Sequence, residues 1–259
     1  IYVYFPNNIL NGLYIRYHKK GCIEELTTRK NGLIHGRRLL YYPNSAKHMI
    51  QQFNNGVQHG PYYVFFQNGT LKERGTMING KYHGLRELFY DHGGIKAREN
   101  YENGVENGPI EDYHSNGKLK KLIPTKMGKP HGKVEEYYES GKLKSTCYVE
   151  DGIKKGTENE YDEQGIRIIS NIYDYENQSI TVSEFYKTGL LQRKYTTLKP
   201  NNKITYAEYY PSGAIKLTAT AINDKWVGVM KKYDESGNIT TTNHDSNISP
   251  NRNKRKTPA

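Results

Sequence analysis

Glycines in this chain fall in arithmetic series, and a chain punctuated in this way can fold only as a string of short, near-identical units. One series runs Gly12, Gly36, Gly60, Gly84, Gly108, Gly132, Gly156 and, after gaps at Ile180 and Ile204, Gly228, in steps of 24. A second runs Gly21, then Ser45 in place of glycine, then Gly69, Gly93, Gly117, Gly141, Gly165, Gly189, Gly213 and Gly237, with the same step. The second series keeps its beat where the first lapses, so those two units are degenerate in sequence but unchanged in length. A third series, from Gly32 through Gly56, Gly80, Gly104 and Gly128 to Gly152, stands four residues before the first.

Aromatic residues follow the same beat. Five residues after each first-series position stand Tyr17, Tyr41, Phe65, Phe89, Tyr113, Tyr137, Tyr161, Phe185, Tyr209 and Tyr233. In a chain that is 12% aromatic this is not chance, and it predicts that these rings pack between units. The next position is often aromatic too, at Tyr42, Phe66, Tyr90, Tyr138, Tyr186 and Tyr210. Two residues past the second glycine comes an aliphatic residue in all units but those with Lys47 and Arg167.

Residues 59–80 show what one unit is. Residues 61–66 (Pro-Tyr-Tyr-Val-Phe-Phe) have strand composition, and Gln67-Asn68-Gly69 reads as a turn in which Asn and Gly both tolerate positive φ. Residues 71–77 return as a second strand, and Asn79-Gly80 with His83-Gly84 leads to the next unit. Six to eight residues between turns are too few for helices, and no stretch sustains a 3.6-residue apolar period. The expected fold is therefore all-β, an elongated single-layer array of about ten antiparallel β-hairpins without a globular core. At about 4.8 Å per strand it would be roughly 95 Å long. The array should span residues 1–240 and be degenerate over 171–205, where Ile180, Pro200 and Ile204 replace turn residues and predict a bend or bulge. Residues 241–259 lack the aromatic beat and read as a basic, disordered tail carrying Arg252, Lys254, Arg255 and Lys256.

The pattern Tyr137-Tyr138-Glu139-Ser140-Gly141-Lys142-Leu143-Lys144, followed by Asp151-Gly152-Ile153-Lys154-Lys155-Gly156, resembles the MORN repeat. More narrowly it is similar to the bacterial and large-virus variant with a slightly longer period, over residues 9 to 240. The resemblance implies protein scaffolding, dimerisation or binding of acidic phospholipids. Proteins made only of such repeats include antitoxins or immunity proteins of the YwqK type and arrays encoded by large DNA viruses.

On the residues alone an enzyme has least support. His35, His59, His83 and His131 recur at steps of 24 or its double, so they occupy equivalent turn positions and do not converge on one metal ion. Neighbouring carboxylates such as Glu135 and Glu136 point to opposite faces of a strand. Asp91-His92-Gly93-Gly94 precedes no helix and is no phosphate loop. No catalytic residue, metal or cofactor is implied. Cys22 and Cys147 cannot build a disulfide framework and read as reduced thiols, pointing to a cytoplasmic protein or one within a virion or other large assembly. No signal peptide or membrane-spanning segment is evident.

The formal net charge is +11, with four positive residues in the tail and +7 taken as spread over the array. Anionic lipid and nucleic acid are the candidates this charge suggests. They stand behind a protein partner, either a toxin or an assembly component. A ribbon of hairpins also ends in strands whose free edges allow homo-oligomers. The less regular aromatics, Tyr42, Phe66, Tyr90, Tyr138, Tyr186 and Tyr210, are the expected partner-binding row.

Overall fold

The computed structural model describes residues 3–4, 10–223 and 225–243. Among these there is no α-helix; the chain is antiparallel β-structure throughout, with one short 3-10 turn at Lys199–Asn201. It divides into two compact units, residues 1–141 and 142–259. Within residues 10–137 each main strand pairs with the next in the chain, from Leu10–Tyr17 against Ile23–Lys30 to Leu119–Lys126 against Gly132–Tyr137. Within residues 143–243 the pairing again follows chain order, from Leu143–Glu150 against Ile153–Tyr161 to Lys225–Tyr233 against Ile239–Asn243.

Each glycine series has its own backbone task. The third builds two-residue turns: Asn54 pairs with Val57 across Asn55 and Gly56, which have φ of 46° and 84°. Two successive positive φ values define the type I′ turn that matches strand twist, and Asn-Gly accepts them at least cost. The second builds the wider turn at the other end. The Phe66 N–H donates to the Thr70 carbonyl at 2.8 Å, the Gly69 N–H donates to the Phe66 carbonyl at 2.9 Å, and Gly69 has φ of 87°. Asn68 does not take positive φ as expected; its side-chain oxygen instead accepts from the Thr70 N–H at 3.0 Å.

The first series is a bulge. Thr27 pairs with Arg38 but Arg29 pairs with Ile34, so two extra residues are accommodated around Gly36, whose φ is 84°. The same offset occurs opposite Thr146–Tyr148, near Gly156, and opposite Thr218–Thr220, near Gly228. At Ile180 and Ile204 the pairing runs without offset. There the turns are longer instead: Asp174 pairs with Ser179 and Leu198 with Lys203, each enclosing four residues where Asn54 and Val57 enclose two. Two residues have moved from bulge to turn, which keeps the period at 24. The irregularity expected over 171–205 thus sits in its turns, and its strands are the more regular ones.

Burial is thin. Among the described residues the buried apolar side chains are Tyr62, Val64 and Ala97 in the first unit and Val149, Ile204, Ala219 and Ala221 in the second. The ten periodic aromatics are not among them, and Tyr17 is 57% exposed. Expected to pack between units, nine of them lie half-buried and Tyr17 exposed, and the rings of Phe89 and Phe185 lie under the guanidinium groups of Arg74 and Arg167 from the neighbouring strand, 5.6 and 4.3 Å away.

Candidate protein-interaction surface

The expected partner-binding aromatics stand at one edge, beside the wide turns. In the first unit the Tyr42 hydroxyl donates to the Phe65 carbonyl at 2.8 Å and the Tyr90 hydroxyl to the Tyr113 carbonyl at 2.7 Å. In the second unit Tyr186 and Tyr210 bond in the same way to Tyr209 and Tyr233, each at 2.8 Å. Where histidine holds this position, Nε2 of His18 and His114 lies 2.9 Å from the carbonyls of Tyr41 and Tyr137. All these links span 23 residues, so each side chain ties its own hairpin to the next. Phe66 has no hydroxyl; its ring lies under the Lys72 ammonium, 5.6 Å away. Tyr138 is half-buried at the same place. Neighbouring turn side chains add to the stack, with Asn44, Asn68 and Asn116 amides donating to the carbonyls of Gln67, Asp91 and Glu139.

At the opposite edge two histidines of the series, His35 and His59, hold the next turn. The His35 Nδ1 accepts the Asn55 N–H at 3.3 Å and the His59 Nδ1 accepts the Asn79 N–H at 3.4 Å, a role taken by the Asn11 side-chain oxygen toward Asn31 at 2.7 Å. Each satisfies the first residue of the next Asn-Gly turn. Among the described residues no group of three or more His, Cys, Asp or Glu is placed to hold a metal ion. Among the described residues Cys22 and Cys147 are in no disulfide, and the Cys22 thiol donates to the Pro43 carbonyl at 3.3 Å.

Between the edges, acidic and basic side chains interlock. Glu25, 4% exposed, is bracketed by Arg16 and Arg38 at 3.2 and 2.7 Å. Glu87, 6% exposed, is bracketed by Arg74 and Arg98 at 2.5 and 3.2 Å. Arg86 sits between Glu73 and Glu99, 2.8 Å from each, with its guanidinium 5.0 Å above the Tyr82 ring. Tyr82 in turn lies between Tyr62 and Tyr101, with centroids at 6.0 and 5.1 Å, and the Tyr62 hydroxyl donates to Glu73 at 2.6 Å. Burial alone would raise the Glu73 carboxyl, but the hydrogen bonds from Arg86 and Tyr62 outweigh it and hold it below its ordinary value. Burial first, then the bond to Glu99, pushes the Tyr101 hydroxyl up to about 12. These networks pair acidic, basic and tyrosine side chains with one another within the sheet.

One row escaped the reading of the sequence although its signal is there. Lys72, Lys96, Lys120 and Lys144 recur in steps of 24, each just after the aliphatic residue that follows the second glycine. Lys72, Lys96 and Lys120 are exposed and, among the described residues, take part in no ion pair. The carboxylate felt by Lys72, that of Glu73, is already held by Arg86 and Tyr62. His48 is held below its ordinary value by burial and then by Lys72, which marks the neighbourhood as positive. Nor is the charge of the array evenly spread: residues 1–141 carry 20 Lys and Arg against 13 Asp and Glu, and residues 142–243 carry 14 against 13.

Two open hollows accompany these surfaces. One of about 300 Å³ lies among Arg16, Arg38, Tyr42 and His48, and one of about 410 Å³ among Lys155, Tyr173 and Tyr175. No helix is long and apolar enough to cross a membrane. The basic positions Arg252, Lys254, Arg255 and Lys256 lie outside the described residues.

Four consecutive segments, residues 58–79, 82–103, 106–127 and 130–151, match the MORN repeat variant. MORN repeats are commonly protein- or membrane-interaction modules, and proteins built from them are generally non-catalytic. No curated protein matches the chain. Among solved structures it is similar to "Crystal Structure of TcdB2-TccC3", at 10% identity and a TM-score of 0.20, over 93% of this chain and 16% of that one. It is also similar to "Crystal Structure of TcdB2-TccC3-Cdc42", at 11% identity and a TM-score of 0.18, over 94% of this chain and 16% of that one. The chain thus spans about a sixth of the length of those structures, and a likeness at these TM-scores carries no argument.

Proposed function

We propose that the protein is a non-enzymatic scaffold whose repeats present one surface many times over to a protein partner. The observation that carries this reading is the run of four consecutive MORN-variant segments at 58–151, within which equivalent side chains recur in every hairpin. Repeat arrays recognise partners through such extended surfaces. The row containing Tyr42, Phe66 and Tyr90, with Tyr138, and the row of Tyr186 and Tyr210 supply half-buried ring surface for contact. The basic tail adds a cationic end. The partner is a component of a larger assembly, such as a virion, or a toxin that the array neutralises, and the protein acts in the cytoplasm or within that assembly.

Affinity purification of the tagged chain from its native source, in low and in moderate salt, tests the reading by mass spectrometry of what is retained. One stoichiometric protein present in both supports a scaffold, and its identity separates assembly component from toxin. Recovery of only lipid or nucleic acid, lost at moderate salt, sinks it. A second reading, in which the chain binds an anionic ligand directly, is favoured by the excess of positive charge in residues 1–141.

A further inference from the structure

We propose that Lys72, Lys96 and Lys120 form a docking row for an extended acidic polypeptide segment whose carboxylates recur every third residue. This rests on the scaffold reading and names the chemistry of the partner.

The row is set by the fold. The three lysines occupy the same place in three consecutive hairpins of the first unit, and two strands per hairpin separate neighbours by about 10 Å. The turn beside Lys72 is bonded to that beside Lys96 through the Asn68 amide and the Asp91 carbonyl, and the turn beside Lys96 to that beside Lys120 through His92 Nε2 and the Ser115 carbonyl, so the spacing is built in. The buried carboxylates of that unit, Glu25 and Glu87, are each held by two arginines, and Glu73 and Glu99 share Arg86. Among the described residues of that unit Lys72, Lys96 and Lys120 are exposed and in no ion pair, and they alone place exposed lysines at one position of three consecutive hairpins; other exposed lysines, such as Lys30, Lys47, Lys81 and Lys126, form no such row.

Charge and spacing together select the occupant. A polyproline-II segment rises about 3.1 Å per residue, so carboxylates at every third position stand about 9 Å apart on one side and meet successive lysines. Duplex DNA does not fit. A run of about 20 Å spans some six base pairs, over half a helical turn, and the phosphate backbone winds away from a straight row within it. Single strands bind chiefly by stacking bases on open rings. Here the rings beside the row are already partnered, Tyr42 by His48 at 4.3 Å, Phe66 by Lys72 at 5.6 Å and Tyr90 by His92 at 5.2 Å.

The test uses the full chain and a fluorescent peptide of repeated Glu-Pro-Pro triplets, with the Gln-Pro-Pro peptide, oligothymidylate and vesicles of anionic lipid as competitors. The Glu peptide should bind at 0.1 M salt and be released toward 1 M, as screening shortens from about 10 Å to about 3 Å. Combining Lys72→Gln, Lys96→Gln and Lys120→Gln should weaken it about tenfold. Combining Lys187→Gln, Lys225→Gln and Lys231→Gln, at exposed positions in the second unit, should change it less than twofold. Circular dichroism of both variants establishes that the sheet is kept. No binding of the Glu peptide, equal binding to both variants, or tighter binding of oligothymidylate or vesicles at the same lysines overturns the proposal. Capture experiments with wild type and the first variant separate the two readings. A stoichiometric protein retained by both removes the lysine row and leaves the scaffold. No protein retained by either removes the scaffold, whatever the peptide does.

Discussion

The Tyr42 hydroxyl donates a 2.8 Å hydrogen bond to the carbonyl oxygen of Phe65, 23 residues on, and so fastens the wide turn of one hairpin to the strand end of the next. The bond recurs from Tyr90 to Tyr113. A partly buried hydrogen bond of this kind contributes about 1 kcal/mol net. Tyr90→Phe is therefore expected to lower stability by that amount, read as a lower urea midpoint with the m-value unchanged. At Phe66, which occupies the same place without a hydroxyl, Phe66→Tyr should supply the missing bond and raise the midpoint. Equal, negligible effects of both would show that packing of the ring, and not its hydroxyl, joins the hairpins.

Why the array was legible in the sequence, and the bulge was not, follows from which constraints are local. Positive φ at Gly56 or Gly69 is a demand of a single turn, so its glycine announces strand ends and hairpin direction. Ile180 announces only that a positive-φ residue is absent. Whether the two surplus residues vanish, distort the strand or enlarge the turn is decided by pairing between Tyr173 and Ile180 on different strands. The depth of the aromatic beat was not legible for a related reason: periodicity marks equivalent positions, while burial depends on which face is covered, and Val64 and Ala97 are buried where Tyr17 is not. The lysine row was visible as a 24-residue series but overshadowed by the rings beside it. No residue between Tyr137 and Leu143 breaks the repeat, so the division at 141/142 leaves no trace in the period.

Ser45 takes φ of 65° at the position that glycine fills in the other wide turns. A side chain in this region is strained by about 1 kcal/mol, partly offset by the greater freedom glycine has when unfolded. Ser45→Gly should stabilise the first unit by about 0.5 kcal/mol. Gly69→Ser, where nothing lies within 4 Å of an added Cβ, should destabilise it by a similar amount through backbone strain alone. A thermal or urea midpoint that moves in the opposite direction for either would mean that the Ser45 side chain makes a compensating contact.

Restoring glycine in the degenerate stretch should not restore the bulge. Ile204 is 7% exposed and pairs in register with Thr197 and Ala221, and its two surplus residues already lie in the turn at Lys199–Asn202. Ile204→Gly removes a buried side chain without gaining a turn, and is expected to cost about 3 kcal/mol. Deleting two residues of that turn together with Ile204→Gly should do no better, because the period then falls short of 24. A stability change below 1 kcal/mol for Ile204→Gly would show that the second unit can shift register to recover the glycine bulge.

The tyrosine–glutamate bonds make stability depend on pH at both ends of the scale. Glu73 and Glu158 are held below the ordinary carboxylate value of 4.5, because hydrogen bonds to each outweigh its burial. A depressed folded-state value means the carboxylate contributes fully above pH 4.5, and the contribution is lost as pH falls through the lower folded value. Tyr101 is shifted the other way, from 10.0 to about 12, by burial and then by its bond to Glu99, and Tyr62 and Tyr206 are raised further for the same reasons. The contribution of Tyr101 is complete below pH 10 and is lost as pH rises through about 12, while those of Tyr62 and Tyr206 persist to higher pH. The urea midpoint should therefore hold level between about pH 7 and 10, fall below pH 6.5 as the unfolded chain takes up the proton that folded His48 resists, fall further below pH 4.5 with the carboxylates, and fall above pH 10. Tyr101→Phe has no proton to lose at that position, so it should lower the plateau yet flatten the alkaline limb between pH 10 and 12. An alkaline limb as steep as that of wild type would assign the loss to groups other than Tyr101.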